Sequence, residues 1–253
     1  MTDHLCDFYW SRAGAIRASE NSEIVVIVDT LSFSTTVAYA VKMGAVIYPL
    51  ALGDDPTDLR NKYNAEVAVH RTDVPSHGKY SLSPLTYFNI EKGTKVVLPA
   101  LNGGTCCKLA QGKSNTVLIG ALVNAQSIGR HIMSLLNKSN VSNSVSVIAC
   151  GERFKKSNSE GELRFAIEDY LGAGSIISEL NINKTPEAKV CEGAYKHNQV
   201  NLERLIWDCE SGVELRDIGF GDDVKFASHL NTIEAVPVLI DNNIRNIEDK
   251  QQG

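Results

Sequence analysis

Aliphatic residues in this chain fall in short unbroken runs rather than in strict alternation. Ile24-Val25-Val26-Ile27-Val28 is the clearest, a β-branched run with no polar member. It predicts a strand buried on both faces, as in a sheet covered by helices. The run stops at Asp29, and Thr30-Leu31-Ser32-Phe33-Ser34-Thr35-Thr36 follows as a hydroxyl-rich connection. Val37 to Met43 then predicts a helix closed at Gly44, and Ala45 to Leu50 a further strand.

The same grammar recurs downstream. Lys95 to Pro99 predicts a strand, Asn102-Gly103-Gly104-Thr105 a turn, and Cys106 to Ala110 a short helix. Thr116 to Ile119 predicts a strand, Gly120 to Asn124 a turn, and Ala125 to Leu136 a helix with Ile128, Ile132, Leu135 and Leu136 on one side. Ser144 to Ala149 is a strand ending at Cys150-Gly151-Glu152-Arg153, and the polar residues 155–162 read as a loop. Leu163 to Gly172 is expected to be helical and to continue from Ser175 to Leu180. Glu187 to Ser211 reads as one long amphipathic helical stretch, and Val236 to Ile240 as a late strand at a sheet edge, because proline cannot donate to a ladder. The tail from Glu248 is expected to fray. Strands alternating with helices predict an α/β layered fold with a largely parallel or mixed sheet. Residues 1–253 read as a single domain, with the polar stretch 181–186 as the place where two intimately packed subdomains would meet.

Composition narrows the function class. The 253 residues carry 25 Lys+Arg against 30 Asp+Glu, a formal charge of −5, with no long basic run. Non-specific nucleic-acid binding depends on clustered positive charge, so it is not expected. No aliphatic run approaches the roughly 20 residues of a membrane span, and the N-terminus shows no basic region followed by an apolar stretch. Cysteines at 6, 106, 107, 150, 191 and 209 form no CxxC pair, which predicts reduced thiols in a cytoplasmic protein rather than a zinc site.

In open α/β sheets, ligands bind beyond the C-terminal ends of strands. That rule singles out Asp29 onward, Asn102 to Thr105, Asn124, and Cys150 to Arg153. Asp29 reads either as a Mg²⁺ ligand or as a cap of the following helix. Ser32, Ser34, Thr35 and Thr36 are either phosphate-binding hydroxyls or ordinary capping residues. Gly103 and Gly104 permit positive φ and close backbone approach to a ligand, and a bare tight turn would need the same. Glu152 could bind metal or move a proton, and Arg153 could clamp phosphate; a surface Glu–Arg pair is the bland alternative. Cys150 reads as a buried inert thiol. Gly112-Lys113-Ser114 mimics the end of a phosphate loop, but Cys107 stands where the earlier glycine is required. Glu168-Asp169 and Asp222-Asp223 could each add a metal ligand or be solvated charge.

Six ordered motifs carry more than this anonymous reading. They are Val28 to Thr36, Val96 to Thr105, Gly120 to Ala125, Ala149 to Arg153, Ala166 to Gly174, and Gly219 to Val224. Together they resemble the 2-phosphosulfolactate phosphatase family, from about residue 20 to 245. The resemblance implies a three-layer α/β/α fold and a Mg²⁺-dependent hydrolase of a small acidic phosphate monoester. The family's named substrate is 2-phosphosulfolactate, an intermediate of coenzyme M synthesis. It further implies that the chain falls in the branch with Ser32 where many members carry Arg, which leaves the natural substrate open. On this reading Asp29 and Glu152 hold Mg²⁺. Ser32, Ser34, Thr35, Asn102, Gly103, Gly104 and Arg153 bind phosphate, Asn124 orients a water or substrate oxygen, and Glu168 or Asp169 is the general base. The position two beyond Asp29 is Leu31, so an aspartyl-nucleophile route lacks its usual acid–base partner and metal-activated water is preferred. The expected partner is a small phosphate ester, with no nucleic acid and no membrane, and self-association stays open. A non-catalytic binding module for an acidic metabolite and a phosphotransferase are the alternatives.

Overall fold

The structure, a computed structural model, describes residues 3–112, 115–139, 141, 143–158 and 161–247. The chain opens with β1 (Leu5–Trp10), α1 (Ser11–Asn21), β2 (Ile24–Val28), α2 (Phe33–Lys42), β3 (Val46–Leu50), α3 (Pro56–Tyr63) and β4 (Glu66–Val67). It continues through β5 (Lys95–Pro99), α4 (Gly103–Ala110), β6 (Thr116–Gly120), α5 (Ala125–Lys138), β7 (Ser144–Ala149), β8 (Glu152–Asn158), β9 (Gly161–Arg164) and α6 (Ile167–Ser178). The last part holds β10 (Asn183–Lys184), α7 (Pro186–Asn198), α8 (Leu202–Asp208), α9 (Glu210–Asp217), α10 (Gly221–Ser228), β11 (Pro237–Ile240) and β12 (Asn243–Asn246).

Ten strands form one mixed sheet in the order β10-β1-β7-β2-β6-β11-β12-β3-β5-β4. The neighbours from β10 to β6 pair in parallel, as do β3, β5 and β4. The antiparallel hairpin β11–β12 joins the two blocks. The unbroken run in β2 is explained by helices on both faces. Val25 and Ile27 pack with α1, α2 and α4, whereas Ile24, Val26 and Val28 pack with α5, α6 and α7. This is the three-layer α/β/α arrangement. A further apolar cluster, which includes Leu31, Leu122 and Leu171, takes in residues of α8 and α10.

Several local expectations are corrected. The loop expected over 155–162 is corrected at its described residues, 155–158 and 161–162, which belong to β8 and β9, while 159–160 lie outside the described residues. Nor is 163–172 one helix: β8 and β9 pair as a separate hairpin, and α6 begins only at Ile167. It then runs unbroken through Gly172 and Gly174, where added side chains would strike Thr30 and the Cys191 carbonyl. The stretch 187–211 is not one helix either. A 3-10 turn at Gln199–Asn201 separates α7 from α8, and Cys209 ends α8 while its Sγ accepts from the Gly212 amide to start α9. The strand β11 lies inside the sheet, not at its edge. Pro237 is tolerated because it is the first residue of the strand, and pairing with β6 begins at Val238. The tail from Glu248, and Lys113-Ser114 of the segment that mimics a phosphate loop, lie outside the described residues.

The polar stretch 181–186 forms β10 beside β1, and Thr185 Oγ1 accepts from the Ala188 amide at the start of α7. There Glu192 of α7 accepts from Lys184 at 2.9 Å and Lys196 at 2.6 Å. Burial pushes the Glu192 carboxyl up, but the hydrogen bonds from the two lysines outweigh it and leave it below the ordinary glutamate value. A depressed carboxylate contributes stability above its unfolded value and loses it as pH falls through the folded one. Glu192→Gln should therefore cost about 1 kcal/mol at neutral pH. Urea midpoints of the two proteins should differ near pH ~7 and converge as pH falls through the lowered value of the folded Glu192 carboxyl.

Candidate active site

Asp29 leaves the end of β2 and meets the starts of two helices. Its Oδ2 accepts from the Gly103 amide of α4 at 2.8 Å, and its Oδ1 accepts from the Phe33 amide of α2 at 3.3 Å. Burial, then the neighbouring Glu152, pushes this carboxyl up to about 7, against the pull of the two amides. Glu152 follows the end of β7. Its Oε1 accepts from Asn102 Nδ2 at 2.8 Å and from the Arg153 amide at 2.6 Å. Burial raises the Glu152 carboxyl as well. The bond to Glu152 also orients the Asn102 side chain, since reversing the amide would set two acceptors face to face. Asn102 Oδ1 is thereby left buried without a partner.

Asp29, Ser32, Asn102, Glu152 and Arg153 all line a cleft of about 560 Å³. Its walls also include Arg71 and the apolar Leu31, Leu98 and Leu101. The strand-end rule thus brings three of its four places to one site.

Asn124 is not there. It is fully buried, its Oδ1 accepts from the Ala121 amide, and its Nδ2 donates to the carbonyls of Ile119 and Ala235. Its amide hydrogens are committed to backbone that joins β6 to the segment before β11. Ser34 and Thr35 are likewise turned inward. Ser34 Oγ accepts from the Asp29 amide and donates to the Ile27 carbonyl, while Thr35 Oγ1 donates to the Thr30 carbonyl. Gly103 and Gly104 do not adopt positive φ and do not form an open turn, because α4 starts at Gly103. Their close approach is to the protein itself. A Cβ on Gly103 would lie 2.3 Å from Phe33 Cδ1 and 2.8 Å from Asp29 Oδ2, and one on Gly104 would lie 2.6 Å from the Leu50 carbonyl oxygen.

Glu168 and Asp169 sit in the first turn of α6, both buried. Asp169 Oδ1 accepts from the Thr30 amide at 2.7 Å and Oδ2 from the Gly151 amide at 3.0 Å. It clamps the residues that follow Asp29 and precede Glu152. Burial, then Asp29 and Glu168, pushes its carboxyl well above the ordinary range. Glu168 is 2% exposed, and its Oε2 has no hydrogen-bond partner. It stands close enough to raise both Asp29 and Glu152. Among the described residues, no group of three or more His, Cys, Asp or Glu has the geometry to hold a metal ion.

The thiols take no part. All six cysteines are free and buried, and burial, together with Cys106, pushes the Cys150 thiol well up, so it is not a thiolate. Asp222 makes a surface pair with Lys225, whereas Asp223 is buried against Arg71. Two further arginines, which no sequence motif marks, lie near the cleft. Arg164, at the end of β9, is buried and donates to Ser211 and Glu214, which line the cleft. Arg71 comes from the irregular stretch between β4 and β5, where no periodic pattern directs attention to it. The cleft is thus acidic at Asp29 and Glu152 and carries cationic side chains beside them, a combination suited to a phosphate and a cation together.

A sequence profile described as 2-phosphosulpholactate phosphatase matches residues 11–242. The chain belongs to that family. The 2-phosphosulpholactate phosphatase family places it among the phosphoric monoester hydrolases. A protein of Carboxydothermus hydrogenoformans named probable 2-phosphosulfolactate phosphatase is 28% identical over 220 residues, covering 84% of each chain. The 2-phosphosulfolactate phosphatase of Methanothermobacter thermautotrophicus is 26% identical over 230 residues, covering 91% of this chain and 92% of its own. That of Methanocaldococcus jannaschii is 29% identical over 148 residues, 58% of this chain and 57% of its own. No helix among the described residues is long and apolar enough to cross a membrane.

Proposed function

We propose that this member of the 2-phosphosulpholactate phosphatase family hydrolyses a small acidic phosphate monoester with Mg²⁺, the substrate being 2-phosphosulfolactate or a related phosphorylated hydroxy acid. The observation that carries the reading is the meeting of Asp29, Glu152 and the unpartnered Asn102 Oδ1 in one cleft with Arg153. Three oxygen donors without sulfur or imidazole suit a hard cation. Asp29, Glu152 and Asn102 Oδ1 are the residues that would hold it. When bound, the ion supplies positive charge to the phosphoryl oxygens and makes a bound water more acidic.

The chain's own residues do the rest. The amides of Phe33 and Gly103 hold the Asp29 carboxylate in place. Asn102 and the Arg153 amide fix Glu152 by one oxygen and leave Oε2 for the site. Arg153 offsets the charge on the transferring phosphoryl group. Asp169 positions the backbone on either side and acts at a distance from substrate. Apolar walls at Leu31, Leu98 and Leu101 limit water around the ester, which strengthens each of these interactions.

The test is free phosphate released from 2-phosphosulfolactate and 2-phospholactate, with Mg²⁺ and with chelator. Mg²⁺-dependent release is expected. Binding without release would favour a binding module, and a phosphorylated acceptor in place of free phosphate would favour a transferase.

A further inference from the structure

Arg71 is held as a rigid part of the cleft wall. Its Nε donates to Asp223 Oδ2 at 3.0 Å, and its Nη2 donates to the Leu82 carbonyl at 3.0 Å and to Ser32 Oγ. Asp223 is only 1% exposed and is itself fixed by Ser83 Oγ at 2.6 Å. The Phe220 ring lies 5.9 Å from the guanidinium carbon. Three of the five N–H groups are thus committed, and their partners come from the residue just before α2, from α10 and from the stretch before β5. The two hydrogens of Nη1 have no protein partner among the described residues, although the side chain is only 12% exposed and lines the cleft.

A purely structural arginine would tie the 68–83 segment to α10 and spend its remaining donors on protein or on open solvent. Arg71 instead leaves one terminal nitrogen, Nη1, at the wall of the cleft that holds Asp29, Glu152 and Arg153. Asp223 offsets its charge in the free protein, so this nitrogen stays in place without a ligand. The two Nη1 hydrogens diverge in the guanidinium plane, and each can donate a charge-assisted hydrogen bond to an oxygen of a carboxylate or sulfonate. The small Ser32 side chain leaves room for Nη2 at the start of α2.

We infer that Arg71 is a specificity residue whose Nη1 takes a second oxyanion group of the substrate, on an ester whose phosphate lies with Arg153. This rests on the phosphatase reading and adds to it the group that distinguishes an acidic phosphate ester from a neutral one.

The experiment compares 2-phosphosulfolactate, 2-phospholactate and isopropyl phosphate, which carry the phosphate with two, one and no further acidic groups. The quantity read is the ratio of kcat/KM between successive esters in wild type, Arg71→Lys and Arg71→Gln, with melting as the folding control. Arg71→Gln should reduce at least one ratio by about ten- to a hundredfold, the loss expected for a hydrogen bond to a charged group. A loss at the first step assigns Nη1 to sulfonate, and a loss at the second assigns it to carboxylate. Arg71→Lys should lie between, since it keeps the charge and loses the fixed direction of the Nη1 hydrogens, and it alone is read if the glutamine variant fails to fold. Equal proportional losses for all three esters, or unchanged ratios, would overturn the inference while leaving phosphatase activity standing. If wild type releases no phosphate from any ester, the phosphatase reading fails, and the inference is judged by binding. In that case 3-sulfolactate should raise the melting temperature of wild type more than that of Arg71→Lys, and equal or absent shifts would overturn it.

Discussion

Asp29→Asn should lower phosphate release by about two to three orders of magnitude, the scale seen when one charge-stabilising group is lost from a reaction centre. The Mg²⁺ concentration needed for half-maximal release should rise with it. The substitution keeps the shape of the side chain and removes one hard, charged oxygen. It also has a structural consequence that a simple cap would not have. Asp29 serves two helix starts with two oxygens, and asparagine has only one acceptor. The favoured orientation keeps the oxygen on Gly103 at the shorter bond and turns the amide toward Phe33. One unsatisfied amide costs about 1–3 kcal/mol, and loss of a charge beside Glu152 and Glu168 offsets part of it. The folded protein should therefore survive, and melting curves identify the fraction of the activity loss that is not unfolding. An Asp29→Asn protein with the wild-type rate and Mg²⁺ response would remove Asp29 from the catalytic assignment.

Asp169→Ala should destabilise the fold by about 2–6 kcal/mol, because it strands two buried amides at about 1–3 kcal/mol each. This is a large share of the roughly 5–15 kcal/mol that holds a domain folded. The residue is 3% exposed and joins Thr30, just after β2, to Gly151, just after β7. Gly151 has φ +76, and the Trp10 ring stands where a side chain on it would begin, so this turn has little freedom to find another acceptor. Asp169→Asn keeps one acceptor and should fall between alanine and wild type. Urea denaturation of the three proteins gives the ranking. An alanine variant within about 1 kcal/mol of wild type would show that water or a shifted carbonyl replaces the carboxylate.

The layered α/β architecture was legible in the chain because burial periodicity is a local property. Ile24 to Val28 declared a strand covered on both faces, and the order of strands and helices declared the layers. The polar residues just beyond strand ends marked the cleft for the same reason: Asp29, Asn102 and Glu152 each follow within three residues of the end of a buried strand. The hairpin of β8 and β9 was not legible. Its pairing is set by register between two polar segments with little apolar pattern, and Leu163 reads equally well as the start of a helix. The inner position of β11 was hidden too, because whether a proline's missing N–H matters depends on the neighbour at that one residue.

Residue type alone also left the polar side chains undecided. Ser34, Thr35, Asn124 and Asp169 have the same chemistry as groups that bind phosphate or move protons, yet each is committed to backbone amides or carbonyls. Two of the four reach across the fold: Asn124 meets the Ala235 carbonyl, and Asp169 meets the Thr30 amide. Arg71 shows the converse, an arginine in an irregular stretch that becomes part of the cleft only because Asp223, far along the chain, lies beneath it. By itself the sequence determined the alternation of the main strands and helices, the burial of β2 on both faces, and which strand ends carry acid. Only the tertiary structure decided which of those polar atoms keep a free lone pair or hydrogen, because a buried polar group takes its partner from whichever donor or acceptor the folded chain brings within reach, and sequence spacing does not specify that distance.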